Sequence, residues 1–472
     1  MLERDMEEEE ADQSHQSFVS DPPPLAHHHQ AINIWEVNKD RVASMHHKMY
    51  TPPSILRKAA GRSSCSIFKV PQSLIEKNGA KTYHPQIVSI GPYHHNKPHL
   101  QMIQEHKWTY LKSLVTRTQE TLNLGLEDYL RAIHPLESKA RDSYSEQLVR
   151  YTVDEFVEMM VLDGCFIIEL FRKVGSIVVI DEDDPLRMPW IIICLARDLL
   201  LFENQVPYFI LQSLFDLTSD NKQSSDKSLS ILALEFFNNV SSLQRPDQDI
   251  DKYMISVEGM HLLDLVRCSF ITPNLTYYSK VISSTSSQQV IHCVSKLRKA
   301  GIQLTVLKAS ETFLDVKYRR GVIQMPRITI DDMMSYFLYN CVAFEQCQKD
   351  ASNHFTTYTM FLDCLVNSAQ DVEFLSDYGI MENYLGSDEE VAKLVNNLAN
   401  DVFIDMNDLY LSGLFDDVHS HYKNCWIVQW ASFKYTYFDT PWSFVSALAA
   451  LLLLIFTFVQ TFFTVYQYYK PT

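Results

Sequence analysis

Glycine is scarce, at 12 of 472 residues. Phosphate-cradling loops are built on glycine, so that scarcity counts against nucleotide-binding folds. Neither GxGxxG nor GxxxxGK[ST] occurs, and HExxH, GxSxG and the protein-kinase signature set are also missing. Basic residues are in deficit: 41 Lys and Arg face 58 Asp and Glu, for a net charge of −17. A surface of that sign is a poor match for phosphate backbones, so nucleic acid is not an expected partner. The nine cysteines form no CxxC pair, and most lie inside apolar runs such as DGCFIIEL. Buried reduced thiols are the simplest account of them. An apolar N-terminal leader is lacking too. The first 12 residues carry seven acids and one Arg, the reverse of a secretory signal.

What is present is one long hydrophobic run near the C-terminus. Thirty residues lie between Asp439 and Lys470 without a charge, rich in Leu, Phe, Ala and Val. A helix of about 20 apolar residues spans the hydrocarbon core of a bilayer. Trp442 stands at one end and Tyr466, Tyr468 and Tyr469 at the other, where amphipathic rings meet lipid headgroups. The run predicts a single-pass anchor over 441–469, with the bilayer as a partner. As no secretory signal is read at the acidic start, the expected layout is that of a tail-anchored protein whose bulk faces the cytosol; plasma membrane and endomembrane are not distinguished. Two sequons, at Asn239 and Asn274, test that orientation.

Residues 1–60 mix acidic residues, Pro22–Pro24 and His27–His29 without sustained periodicity, and are expected to be disordered. From residue 64 to about 430 the pattern predicts one predominantly helical domain. Two short strands are expected first, in CSIFKVP and HPQIVSIGPY. A helix is expected from Pro98, where Leu100, Ile103, Trp108, Leu111 and Leu114 recur at near-helical spacing, and further helices over Glu120–Ala140, Tyr151–Arg172, Trp190–Leu217 (kinked or split by Pro207), Leu229–Val240, Gly259–Arg267, Gln288–Ala300, Asp332–Cys347, Thr359–Ser368 and Asp388–Phe403. FLDVKY and GVIQMPRITI are strand candidates joined by a turn at Arg319–Gly321, with Pro326 marking an edge or irregular strand. The expected fold class is therefore mainly α with a small β element (α+β) and one C-terminal transmembrane helix.

Three polar constellations remain. His94, His95, His99 and His106 run from a loop into a helix, but zinc wants four ligands and no cysteine is near; a solvated polar loop is the simpler account. Asp163 and Glu169 are six apart on a helix, hence on different faces, and Glu169 is expected to pair with Arg172. In RDLLLFENQVPYF, the polar Glu203, Asn204 and Gln205 stand in an apolar setting beside Pro207. Buried polar groups need partners, so an internal hydrogen-bond network is expected there. A cleft joining His94 or His95 to Glu203 or Asp163 would instead favour an enzyme. No catalytic residue, metal or cofactor is assigned.

The chain resembles the plant family known as domain of unknown function 247, or uncharacterised protein family 0481. The resemblance rests on IFKVPQSL (67–74), HPQIVSIGPYHH (84–95), MMVLDGCFIIELFR (159–172), RDLLLFENQVPYFIL (197–211), HLLDLVR (261–267), GVIQMPRITIDD (321–332), NCVAFEQC (340–347) and LGSDEEVAKLVNNL (385–398), in that order. Asn96 departs from the glycine usual after the His pair, and Val206 from the usual Leu or Ile. The resemblance implies no established enzymatic activity. It implies a role in recognition or signalling, because similar grass proteins are implicated in self-incompatibility and others in development and stress. Protein partners are expected, with the motifs building the core and the polar segments Asn221–Ser228 and Ser283–Gln289 choosing the partner.

Overall fold

Helices account for most of the chain because its apolar residues recur with helical period, and each amphipathic face finds another to bury against. The structure, a computed structural model, describes residues 38–469 apart from 52, 54–55, 181, 220–226, 241–242, 244–258, 274, 276–289, 401, 407, 424–428 and 430–440. The chain divides into two units, 1–52 and 53–472. In the first, Lys39–Tyr50 is a helix with no buried residue, capped by the Asn38 side chain, which accepts from the Asp40 and Arg41 N–H groups. This helix lies within the span expected to be disordered, and an Asn cap with Asp40 in the first turn and His47 and Lys48 in the last suits the helix dipole at both ends. His27–His29 lie outside the described residues.

The second unit is organised on Val153–Val174. Thr152 and Glu155 cap its start reciprocally, and from Phe156 to Lys173 nearly every side chain is buried. It packs on Gln101–Leu122, Leu126–Ile133, Tyr208–Thr218 and Leu229–Val240. Gly164 is needed for one of these contacts: a Cβ there would stand 2.5 Å from Leu214 Cδ1. The helix expected from Pro98 is formed as Gln101–Leu122, and the one expected over Glu120–Ala140 is broken up. Gln101–Leu122 stops at Asn123, which takes a left-handed φ of 56°; Leu126–Ile133 follows; and Pro135 precedes Glu137–Asp142. Trp190–Leu217 is also split, into Pro189–Asp198 and Tyr208–Thr218, with Pro207 at the N-cap of the second.

The small β element lies in the C-terminal half. β1 (Gln303–Val306), β2 (Lys317–Arg319) and β3 (Val322–Met325) form a sheet in the order β1-β3-β2; β4 (Ile328–Ile330) pairs in parallel with β5 (Met381–Asn383). The β2–β3 hairpin turns at Arg320 and Gly321, with φ of 51° and 83°. That pair of positive φ values is the hairpin-compatible turn, which Gly adopts without strain. Pro326 falls between β3 and β4 and sends them to different sheets. The strands expected in CSIFKVP and HPQIVSIGPY are not formed. The first contributes only a single bridge, Ile67 to Tyr144, and the second is an irregular buried segment. Ala369–Asp377 and Ser412–Lys423 are helices the periodicity did not single out.

Pro441–Tyr469 is one continuous helix. Within it Trp442–Tyr466 is long and apolar enough to cross a membrane, and none of it is buried against the rest of the chain. Trp442 is 81% exposed, and Tyr466 and Tyr469 are exposed at the other end. The Tyr468 side chain lies outside the described residues, as do Asn274, Ser283–Gln289 and most of Asn221–Ser228. Eight cysteines among the described residues are unpaired.

Candidate functional site

The segment 84–97 runs through the interior without a ladder partner, so its backbone N–H groups need other acceptors. They find them on side chains. Asp198, at the end of its helix, accepts from the N–H of Gln86, Ile87 and Val88 at 2.9, 2.8 and 3.1 Å through one oxygen, while Arg197 pairs with the other. Burial pushes the Asp198 carboxyl up, and Arg197 and the N–H donors oppose that. Asn204 accepts from Ile90 N–H at 2.7 Å and donates to the carbonyls of Val88 and Asp198. Asp163 accepts from Gly91 N–H at 2.7 Å through one oxygen and pairs with the fully buried Lys107 through the other. Lys107 also donates to the Ser89 carbonyl, and burial lowers its pKa against the pull of Asp163. Gly91, at φ 73°, passes so close that a Cβ would meet the Gln205 carbonyl oxygen at 2.4 Å.

Gln205 serves the other side of the same knot. It donates to the Leu199 and Leu201 carbonyls at 2.7 and 2.8 Å and accepts from Leu263 N–H at 3.3 Å. Asn340 accepts from Phe202 N–H at 2.9 Å and donates to the Thr82 carbonyl at 3.0 Å. The turn after Asp198 is thus tied at both ends by carboxamides.

Glu203 is the branch point. One oxygen accepts from Val70 N–H at 2.8 Å; the other lies 2.9 Å from His94 Nε2. Both residues are almost wholly buried, His94 at 2% exposure. The Nε2 approach is close but off the N–H direction, so the contact is electrostatic rather than a well-aligned hydrogen bond. Lys97 Nζ stands 2.7 Å from His94 Nδ1. An ammonium can only donate, so the Nδ1 lone pair accepts and the ring proton sits on Nε2, toward Glu203. Burial holds the His94 pKa below its ordinary value, against the pull of Glu203, so the ring is neutral near pH 7. The half-buried His84 ring lies 5.2 Å from that of His94, and its pKa is lowered by burial as well.

His95 is not brought to Glu203. Its half-buried ring packs edge-on against Tyr151 at 5.8 Å, and burial lowers its pKa. His99 approaches the Pro85 carbonyl at 3.4 Å. Among the described residues no group of three or more His, Cys, Asp or Glu is placed to hold a metal ion. The Glu169–Arg172 pair is corrected. Glu169 takes a bidentate pair from Arg117 at 2.7 and 2.6 Å across two helices, whereas Arg172 turns to Thr218. The planar fork matches a carboxylate better than a partner one turn away on the same helix.

Sequence reasoning missed a second buried charge cluster. Arg267 bridges Asp264 at 2.9 Å and Glu345 at 3.0 Å, and Glu345 accepts from the N–H groups of Phe355 and Thr356. Its signal was available, since HLLDLVR and NCVAFEQC each place charge inside an apolar stretch. Among the described residues, a cavity of about 560 Å³ is bordered by Asp315, Arg319, Tyr410 and Asp417, and another of about 450 Å³ by Leu130, Arg131, His134 and Glu158. Neither is lined by His94 or Glu203. The nearby thiols are not poised as nucleophiles, because burial pushes Cys65 up to about 11 and Cys347 to about 12.

The model of a family described as plant protein of unknown function, DUF247, matches residues 67–456. A UPF0481 protein of Arabidopsis thaliana is 36% identical over 436 residues, covering 88% of this chain and 89% of that protein. A putative UPF0481 protein of the same plant is 22% identical over 494 residues, covering 85% and 90%. No solved structure matches the chain.

Proposed function

This chain belongs to the DUF247 family of plant proteins of unknown function, and from that membership we propose that it is a non-catalytic recognition or signalling module, held on a membrane by Pro441–Tyr469 with its domain in the cytosol. One observation carries the non-catalytic reading. Asp163, Asp198, Glu203, Asn204 and Gln205 spend their polar atoms on backbone groups and on the Lys107, Arg197 and His94 side chains, and none borders the two cavities described above. A catalytic carboxylate needs a free face toward substrate. The anchor is supported by the length, neutrality and full exposure of the terminal helix. Cytosolic placement is supported by the eight unpaired cysteines. Partner choice is assigned to the polar segments 221–228 and 283–289, which cannot add much to a core.

The test is expression of the full chain in plant cells. Asn239 is exposed on its helix, so it would be a ready acceptor in a lumen. Absence of glycan at Asn239 and Asn274 together with resistance to alkaline carbonate is the expected result; glycan at either Asn overturns the cytosolic placement. Proximity labelling, repeated with the two polar segments exchanged for neutral linkers, tests the partner assignment: an unchanged partner list defeats it.

A second reading, a membrane-tethered enzyme, is favoured by one contact set, the Lys97–His94–Glu203 series. It requires substrate to reach a ring that is 2% exposed. Modification of His94 by diethyl pyrocarbonate in the folded chain would support it, and protection of that ring would leave it without a site.

A further inference from the structure

The terminal helix is not uniformly apolar. Between Pro441 and Tyr466 the Ser, Thr and Gln residues are Ser443, Ser446, Thr457, Gln460, Thr461 and Thr464. At about 100° per residue all six fall within an arc of about 100°. Ala449, Ala450 and Leu453 share that face, with Trp442 at its N-terminal end, while Phe444, Leu448, Leu451, Ile455 and Phe462 occupy the opposite one. From Ser443 to Thr464 the helix therefore carries a smaller, more polar face and a bulky, apolar one.

The polar groups on that face are not equivalent. Thr457, Thr461 and Thr464 each donate their hydroxyl to the carbonyl four residues back, at 2.8 Å. They are satisfied within their own helix and can face lipid. Gln460 cannot be satisfied this way: its carboxamide has two donor hydrogens and two acceptor lone pairs, and it makes no hydrogen bond among the described residues. It stands about six residues, or roughly 9 Å, from the middle of Trp442–Tyr466, inside a hydrocarbon layer about 15 Å deep on each side. An amide there is driven to find a partner, and lipid offers none.

We propose that two copies of this chain pair side by side in the bilayer through this face, with the two Gln460 carboxamides hydrogen-bonded to each other. The proposal rests on the membrane-anchored reading above. A carboxamide is self-complementary, since the N–H of one copy meets the C=O of the other in both directions. Small neighbours let the backbones approach closely enough for that reach. The 30 residues between Asp439 and Lys470 carry no charge, so parallel copies do not repel within the membrane. A partner helix bearing a carboxylate or ammonium would leave that charge only half compensated by a neutral amide, which favours a second copy as the occupant.

The experiment uses the full chain carrying either of two epitope tags, co-expressed in plant microsomes. Each variant is checked for carbonate resistance and then solubilised in mild detergent, and co-isolation of the two tags is measured. The wild-type chain is expected to pair. Gln460→Leu should weaken pairing about three- to tenfold, the range of membrane polar contacts. Gln460→Asn should retain most of it, and Phe462→Leu on the opposite face should leave it unchanged. Pairing by Gln460→Leu equal to wild type, or a wild-type chain that is carbonate-resistant and monomeric, overturns the proposal and leaves the anchor reading intact. Extraction of the wild-type chain by carbonate overturns both.

Discussion

The Glu203 carboxylate holds the His94 ring at 2.9 Å with one oxygen and the Val70 N–H at 2.8 Å with the other. Two segments far apart in sequence are thereby fixed to one side chain at the turn between two helices. The arrangement resembles a catalytic pair in distance and a structural clasp in burial. Burial decides, because a carboxylate engaged on both oxygens in a closed interior is out of reach of a substrate.

Removing the clasp should therefore read out as stability. Glu203→Ala leaves the buried Val70 N–H without an acceptor, and a loss of about 2–3 kcal/mol is expected from urea unfolding of the chain in detergent. Glu203→Gln keeps an acceptor for Val70 but turns an NH₂ toward the proton on His94 Nε2, so it should cost about half as much. An alanine variant as stable as the parent would mean that the contact bears no load.

The Lys107–Asp163 pair should be the more costly to break. Both are buried, at 0% and 1% side-chain exposure, and Lys107→Ala strands a carboxylate in the core. Loss of about 3–5 kcal/mol is expected. Replacing both residues, as Lys107→Met with Asp163→Asn, should recover a good part of it, because Asn can still accept from Gly91. Unfolding midpoints of the single and double variants decide this; additive losses would contradict it.

Asn96 offers a sharper backbone test. It follows the His pair with φ 64°, in the left-handed region. That geometry is the physical reason for the glycine usual at this position in the family the sequence resembles, and Asn is the side chain that tolerates it best. Asn96→Gly should change stability by less than about 0.5 kcal/mol, whereas Asn96→Ala should lose about 1 kcal/mol. Equal effects of the two would show that the position is not strained.

Much of this was legible from the sequence and the remainder divides by cause. Leu229–Val240 and Asp332–Cys347 have the bounds that periodicity assigns them, since both are long and apolar on a regular spacing. The Arg319–Gly321 turn was legible because Gly marks it. HPQIVSIGPY was misassigned because alternation of apolar residues indicates burial, not the partner. A strand would have satisfied its N–H groups with a ladder, and here Asp198, Asn204 and Asp163 do so instead. Those acceptors are 72 to 114 residues away, and no local pattern announces a contact at that distance. β1 and β5, at four and three residues, are too short for a period to show. That Glu203 needs a buried partner follows from its apolar setting, but that His94 is the ring beside it depends on the fold.

The pH dependence of stability between pH 4 and 6.5 should be set mainly by two buried histidines, with His84, His94 and His95, also lowered by burial, adding in the same direction. His261 and His354 are each pushed down to about 4 by burial. His261 caps its helix: Nδ1 accepts from Asp264 N–H at 3.3 Å, and Nε2 faces the Ser66 carbonyl at 3.2 Å. The neutral ring with its proton on Nε2 satisfies both contacts. Protonating Nδ1 would set a donor against a donor. His354 lies stacked on Tyr410 at 4.9 Å with neither ring nitrogen bonded. In the unfolded chain both rings take up protons near pH 6.5. As pH falls below 6.5 the unfolded state binds more protons than the folded one, so stability declines until the folded-state value near 4 is reached. Each ring can contribute on the order of 3 kcal/mol across that window. Unfolding midpoints should be flat above about pH 7 and fall steadily from pH 6.5 to 5, above the range where ordinary carboxylates titrate. His354→Phe, which keeps the stacking without a titrating group, should flatten the slope by up to about half. A profile that is level from pH 7 to 5, or one unchanged by His354→Phe, would contradict the assignment of that slope to these two rings.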